Sequence, residues 1–273
     1  MSWRSIVKDW LLRRGIVLSR PPGQFNVAHV KLRQLKLRGF EIHCAVDGGA
    51  ADGGWTRELK EVYPGAQVLC IEPREQCQAA LRKMSSELSG IHLAQTLIGD
   101  HEGEAAFFEL GDSSSILKSE AAAVGKNLAQ IPMTTLDTLI GQAGLPPPNL
   151  IKLDLQGAEL TALNGARSTL AGAQAVLLEL SFHRFYEGSA VFTEAIGFMR
   201  DAGFQCYDVF ALWHRPLDGA LAQGDFLFLK ECHPLWSDRR WSLDSTQQWE
   251  GVSAVAAHAI RAVETAKANM IGS

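Results

Sequence analysis

The 273-residue chain has no apolar run long enough to cross a bilayer. Its N-terminal apolar stretch around Trp10-Leu11-Leu12 is cut at once by Arg13-Arg14. That pattern argues against a signal peptide and a transmembrane span, and it predicts a cytoplasmic protein without stable membrane insertion. Cysteine is scarce: Cys44, Cys70, Cys77, Cys206 and Cys232 form no C-x-x-C pair, so neither a zinc site nor a disulfide framework is expected. Cys44 and Cys70 lie inside strand-like apolar runs, where a thiol is a small core residue. An excess of positive charge is missing as well. With 26 Lys and Arg against 30 Asp and Glu, the formal charge is −4. No broad basic face is offered to a phosphate backbone, so nucleic acid is set aside in favour of a small or neutral acceptor. What the chain does have is apolar residues, 47% of the total, enough to bury the core of one large α/β domain.

Trp3, Ile6, Val7, Trp10 and Leu11 recur at helical spacing, and Pro21-Pro22-Gly23 breaks the chain after them. The pattern predicts an N-terminal helical addition over residues 1–38, a main domain over 39–232 and a C-terminal helical tail over 233–273 packed on it. In the main domain, strand candidates fall at Ile42–Asp47, Gln67–Glu72, Ile91–Ile98, Asn149–Asp154, Ala175–Leu180, Cys206–Leu212 and Phe226–Lys230. Helix-length segments at Gly54–Tyr63, Glu75–Glu87, Ala158–Leu170 and Ala190–Ala202 separate several of them. Such alternation builds a mostly parallel sheet with helices on both faces. The last two strands are joined by a polar loop and predict an antiparallel hairpin. Between Gly99 and Leu139 an insertion with a hairpin at Glu104–Leu110 and a Ser113-Ser114-Ser115 turn is expected over the site. The tail carries Trp236, Trp241 and Trp249 and reads as helical over Val252–Ala268.

Val46 to Gly53 is an apolar strand ending in an acid and a glycine turn, and one βαβ length later Val68 to Pro73 ends in Glu72. This is how a chain builds a nucleoside-binding site. The turn fits D-x-G-x-x-x-G through Asp47, Gly49 and Gly53. It fits G-x-G-x-x-G poorly, because Ala50 stands where close approach to a pyrophosphate favours the second glycine. A nicotinamide oxidoreductase is therefore the weaker of two enzyme readings. Glu72 is expected to accept hydrogen bonds from ribose hydroxyls, with Pro73 directing the chain onward.

Ile151-Lys152-Leu153-Asp154-Leu155-Gln156-Gly157-Ala158-Glu159 resembles the I-K-x-D-x-E-G-A-E segment of FkbM-type methyltransferases. Three further pieces resemble the family in order. Val46 to Gly53 resembles its V-D-x-G-A-N-x-G turn; Ile98-Gly99-Asp100 with Gly103 and Phe107-Phe108 resembles its G-D-x-x-G segment; and Thr135-Leu136-Asp137 resembles its T-L-D. The resemblance spans about residues 42 to 230. It implies a class I methyltransferase (Rossmann-like) fold, a seven-stranded sheet closed by an antiparallel hairpin, S-adenosyl-L-methionine as cofactor, and O-methylation of a sugar, glycan or secondary-metabolite hydroxyl. Cofactor binding then falls to Asp47, Gly48, Gly49, Ala50, Gly53, Glu72 and Pro73, with Asp100 on the adenine side. Two residues depart from the family: Ala51 stands where Asn is common and Gln156 where Glu is common. Gln keeps hydrogen bonding but takes no proton, so a non-catalytic homologue is a further alternative.

Asp154 ends a strand at the face where an open α/β sheet presents residues to its crevice, although an Asp there also suits helix capping. Glu179 interrupts an apolar strand and His183 follows it. A carboxylate and an imidazole at that place suit deprotonation of an attacking hydroxyl, and equally suit an ordinary surface loop. His183, Asp154 and Glu179 are the catalytic candidates, with Ser114, Gln156 and Glu159 on the acceptor side. Glu159 is also favoured in a first helical turn without any chemistry. No metal is expected, because Asp154, Glu179 and His183 lack diagnostic ligand spacing.

Overall fold

The computed structural model describes residues 27–111, 113–118 and 128–240. The helices expected over Trp3–Arg14 and Val252–Ala268, and Trp241 and Trp249, lie outside the described residues.

Five strands form the parallel body of the main sheet: β1 Cys44–Gly48, β2 Gln67–Ile71, β3 Ile91–Ala94, β7 Leu150–Leu153 and β8 Ala175–Ser181. β9 Phe204–His214 and β10 Leu221–Lys230 close it as an antiparallel hairpin, with β10 also antiparallel to β8. The order is β3-β2-β1-β7-β8-β10-β9, the expected class I arrangement. Every residue of β1 and β7 is buried, because a central parallel strand is covered on both faces. The strand order reverses between β1 and β7, which opens a crevice at their carboxyl ends.

Helices cover both faces. α1 Val27–Leu37, α2 Gly54–Val62 and α3 Glu75–Glu87 lie on one side, where Leu32, Leu35, Leu59, Leu81 and Met84 share a core with Ala45, Val68 and Cys70. Lys31 Nζ lies 2.7 Å from Asp208, which ties α1 to β9. On the other side, α4 Leu136–Ala143, α5 Glu159–Asn164, α6 Arg167–Gly172 and α7 Phe192–Asp201 cover Val46, Ile151, Val176 and Leu178.

Three local expectations change. The single strand expected over Ile91–Ile98 is two, β3 and β4 Leu97–Gly99, because the chain turns at Gln95-Thr96 to join a second, three-stranded sheet. In that sheet β5 Gly103–Phe108 pairs along its length with the antiparallel β6 Leu128–Thr135, which also pairs parallel with β4, and the local hairpin is limited to a bridge between Phe108 and Ser115. The single helix expected over Ala158–Leu170 is broken into α5 and α6. At the break Gly165 packs so tightly on Gly99 that a Cβ would lie 2.1 Å from the Gly99 carbonyl oxygen, and the chain has to turn there.

The Thr135-Leu136-Asp137 triplet is the joint between these layers. Thr135 Oγ1 accepts the Thr138 N–H and caps α4, Leu136 is fully buried, and Asp137 accepts the N–H groups of Ser168 and Thr169 at 2.9 and 2.7 Å, capping α6 from across the fold. Burial would raise the Asp137 pKa, but these N–H donors outweigh it and hold it below its ordinary value of 3.8. Asp137→Ala is expected to cost about 1–2 kcal/mol. A depressed carboxyl stabilises above its unfolded pKa and loses that contribution as the pH falls through the folded one. Urea midpoints of wild type and variant should therefore differ at pH 7 and converge in acid.

Candidate active site

The crevice at the switch point holds a cavity of about 190 Å³. Gly49, Ala51, Glu72 and Pro73 line it from the ends of β1 and β2, and Asp154, Leu155 and Gln156 from the end of β7. Leu97, Ile98, Phe107 and Ile116 give it an apolar wall. Two features of the β1 turn explain its shape. Gly49 has φ +73°, and a Cβ on it would sit 2.0 Å from the Asp154 carbonyl oxygen, so only glycine admits this approach of the two strand ends. Ala51 has φ +48°, a left-handed conformation that Asn adopts more readily than Ala. The common Asn of the family thus has a backbone reason at this position.

Glu72 is buried at the rim of the cavity. Its Oε2 accepts the Ala51 N–H at 2.9 Å and its Oε1 accepts the Arg74 N–H at 3.0 Å and Nε–H at 2.8 Å. Arg74 Nη1 continues to the Gly111 carbonyl at 2.7 Å, linking β2 to the inserted segment. Of the other residues expected on the cofactor side, Gly48, Ala50 and Gly53 are buried in the turn and do not line the cavity. Asp47 is fully buried beneath it. Its Oδ2 accepts the Thr56 hydroxyl at 2.7 Å and its Oδ1 is 3.0 Å from Lys152 Nζ. Asp100 points outward, bonded to His101 at 2.6 Å, and does not line the cavity.

Lys152 carries no role in the motif reading, yet a lysine between Ile151 and Leu153 in a buried strand is a legible signal. β1 and β7 pair Asp47 with Lys152 in register. Burial would lower the Lys152 pKa, but Asp47 and then Asp154 raise it above the ordinary value, and the ammonium stays charged. It neutralises Asp47 at the floor of the crevice.

A second, more open pocket of about 940 Å³ adjoins the first, and Gln156 lines both. Glu179, His183, Tyr186, Trp213, Arg215 and Gln223 are among its walls. The structure thus brings Glu179 and His183 together in one pocket, with Asp154 in the neighbouring one. Gln156 Nε2 donates to Asp154 Oδ1 at 2.8 Å and to Glu179 Oε2 at 2.7 Å. Burial, then Asp154 and Asp225, push the Glu179 carboxyl up to about 9. Asp225, opposite Glu179 on β10, is raised to about 7 by burial and then by Asp154.

Two acceptor-side candidates are occupied otherwise. Glu159 Oε1 accepts the N–H groups of Leu155 and Gly157 at 2.8 and 3.1 Å, bracing the turn behind the site. Ser114 lines the first cavity, but its hydroxyl closes its own turn on Leu110 and Gly111. Ser115 makes the longer connection, donating to the Gln156 carbonyl at 2.9 Å. Arg74, Tyr186 and Gln223 escape a reading of the sequence because nothing in their local pattern marks a partner 30 or more residues away. Among the described residues no group of three or more His, Cys, Asp or Glu could hold a metal ion, and no helix is long and apolar enough to cross a membrane.

The chain is similar to the 2-O-methyltransferase NoeI of Sinorhizobium fredii, 28% identical over 158 residues that make up 52% of this chain and 65% of that protein. It thus spans just under two thirds of that relative. Among solved structures it is similar to a methyltransferase FkbM from Methylobacillus flagellatus, 18% identical with a TM-score of 0.44, over 67% of this chain and 43% of that one. It is also similar to a precorrin-6y C5,15-methyltransferase from Geobacter metallireducens, 12% identical with a TM-score of 0.44, over 80% and 95%. Residues 47–206 match the Methyltransferase FkbM domain. The match runs from the acid at the end of β1 into β9, takes in the residues around Gln156 where the two pockets meet, and covers more than half of the sequence, so the chain belongs to the FkbM methyltransferase family.

Proposed function

We propose that this protein is an S-adenosyl-L-methionine-dependent O-methyltransferase acting on a hydroxyl of a sugar, glycan or secondary metabolite. The observation that carries this reading is the meeting of the two pockets at Gln156, one with the features of a nucleoside site and the other lined by groups that handle protons.

The donor set fits the cofactor. Glu72 offers a carboxylate, already oriented by Ala51 and Arg74, to ribose hydroxyls, and Leu97, Ile98, Phe107 and Ile116 offer an apolar surface to adenine. Gly49 and Ala51 give backbone access at the end of β1, and Pro73 borders the same cavity. In this reading Asp47, Gly48, Ala50 and Gly53 shape the turn from behind. When bound, S-adenosylmethionine supplies a methyl group already activated on a sulfonium. The protein's share is alignment and proton removal. Glu179 accepts the proton of the acceptor hydroxyl, His183 faces the same pocket, and Asp154 sits between that pocket and the cofactor cavity. Trp213 and the polar side chains of Gln223, Arg215 and His183 supply the mixture of flat apolar and hydrogen-bonding surface that a sugar ring needs.

Calorimetry with S-adenosylmethionine and with NADH, followed by labelled methyl transfer to a panel of methyl glycosides and hydroxylated metabolites, tests the reading. Tight binding of the first, none of the second and transfer to at least one hydroxyl are expected. Preference for NADH would replace it with an oxidoreductase, and cofactor binding without transfer to any acceptor would replace it with a non-catalytic homologue.

A further inference from the structure

Gln156 departs from its family in charge, and its backbone is also unusual: at φ +53° it is held in the left-handed region, which costs an ordinary L-residue energy and persists only where the surroundings over-determine it. Those surroundings are specific. Ser115 holds its carbonyl. The next residue, Gly157, packs so closely that a Cβ there would lie 2.9 Å from Ser189 and 3.2 Å from the Tyr186 ring. The side chain is as fully engaged. Both amide hydrogens point at carboxylates, Asp154 at 2.8 Å and Glu179 at 2.7 Å. The amide oxygen accepts the Tyr186 hydroxyl at 3.0 Å, closer than that hydroxyl's other acceptor, the Ser113 carbonyl at 3.3 Å.

We propose that Gln156 and Tyr186 are a positioning pair, in which Tyr186 fixes the sense of the Gln156 amide so that its single nitrogen ties Asp154, beside the cofactor cavity, to Glu179 in the acceptor pocket. The inference rests on the methyltransfer reading of the site. The chemistry admits one sense for the amide. The Asp154 carboxylate has acceptors only, so a flipped amide would turn its oxygen toward an acceptor and give up the Tyr186 O–H as its donor. The clamp has to be neutral because the cluster is short of cations. Asp154 faces Glu179 from the end of β7, Glu159 from α5, Asp225 and Gln223 from β10, and His183 and Tyr186 from the segment after β8, while Lys152 of β7 faces Asp154 and Asp225. Lys152 lies 3.0 Å from Asp47 and 3.9 Å from Asp154, and the arginines of the pocket, Arg184 and Arg215, are held by Glu194 and Asp218. A glutamate at 156 would face Asp154 and Glu179 with no positive charge between them.

The resemblance alone makes Gln156→Glu a harmless return to the common residue, whereas the geometry makes it damaging. We expect this variant to lower turnover at pH 7 by at least about tenfold and to move the limb of the pH–rate profile upward by about one pH unit, like charges at this range opposing ionisation. Tyr186→Phe keeps the ring against Gly157 and removes only the hydroxyl. It is expected to lower kcat by about tenfold, the scale of a small misplacement in an aligned site, with KM for S-adenosylmethionine unchanged. Infrared titration of the carboxyl C=O band, on protein without acceptor, reads the same clamp independently of turnover: both variants should retain the protonated band to higher pH than wild type. Unaltered titrations in both variants, or a Gln156→Glu enzyme as active as wild type with the same pH limb, would overturn the proposal. A wild type that methylates no hydroxyl defeats the functional reading instead, and the infrared titration then decides the clamp by itself.

Discussion

Glu179→Gln is expected to lower kcat by about 10²- to 10⁴-fold, the range of a lost general base, with S-adenosylmethionine affinity unchanged and the protein made more stable in alkali. The first part follows from placement. Glu179 lines the pocket proposed for the acceptor, and its Oε2 is steered by the amides of Gln156 and Gln223 at 2.7 and 3.1 Å. Glutamine preserves that shape but takes no proton. The pH profile identifies the group. A carboxyl pushed up to about 9, by burial first and then by Asp154 and Asp225, gives a kcat/KM that climbs about tenfold per pH unit and levels near that value. A limb well below that value, or wild-type turnover in the variant, would remove Glu179 from the mechanism.

The stability half has the opposite sign. Between the ordinary glutamate value of 4.5 and about 9 the folded protein keeps a proton on Glu179 that the unfolded chain has released, so stability falls as the pH rises through that window. Glutamine is neutral throughout and loses this slope. Asp225 and Glu159, both raised to about 7 chiefly by burial, slope the same way, so the variant's curve should be flatter than wild type but not flat. Urea midpoints at pH 5 and pH 9 measure the difference. A site that is less stable with its carboxylates than without them is the usual trade of stability for chemistry.

Gly49→Ala is expected to lower stability by about 2–4 kcal/mol, from left-handed strain on an L-residue and overpacking together, and to abolish cofactor binding. The added methyl would sit 2.0 Å from the Asp154 carbonyl oxygen. Backbone cannot rotate out of the way as a flexible side chain can, so the ends of β1 and β7 must separate, and the crevice between them is the proposed binding site. Gly39→Ala supplies the control. Gly39 has φ +87° but nothing within 4 Å of the methyl that alanine would add, so it should show the conformational cost of about 1–2 kcal/mol alone with binding intact. Equal losses from the two substitutions, or calorimetric binding by Gly49→Ala like that of wild type, would contradict the close approach.

How much of the molecule is legible in the sequence depends on the reach of each signal. The central strands are, because burial on both faces demands apolar runs such as Ala175–Leu178, and Glu75–Glu87 is legible as a helix to the residue. β6 is not. It carries Pro132 and several exposed residues, and its identity as a strand depends on pairing with β5 and β4 across a long stretch of chain. Ala158–Leu170 reads as one helix because periodicity is local, and the break falls at Gly165, where the chain packs against Gly99, a distant residue. In the site, Glu72 and Gly49 are legible from motif spacing, while the outward turn of Asp100 and the engagement of Glu159 with backbone are not.

The amino-acid sequence by itself determined the family, the alternating α/β order and the two acids that end β1 and β2, since these rest on short-range pattern and motif spacing. Only the tertiary structure decided what each polar group does. It sent Asp47 beneath the crevice to Lys152, brought Tyr186 to Gln156, and set Glu179 among Asp154 and Asp225. The physical reason is that a charge in a folded chain is defined by its neighbours and its access to water, and both are assembled from residues far apart in sequence.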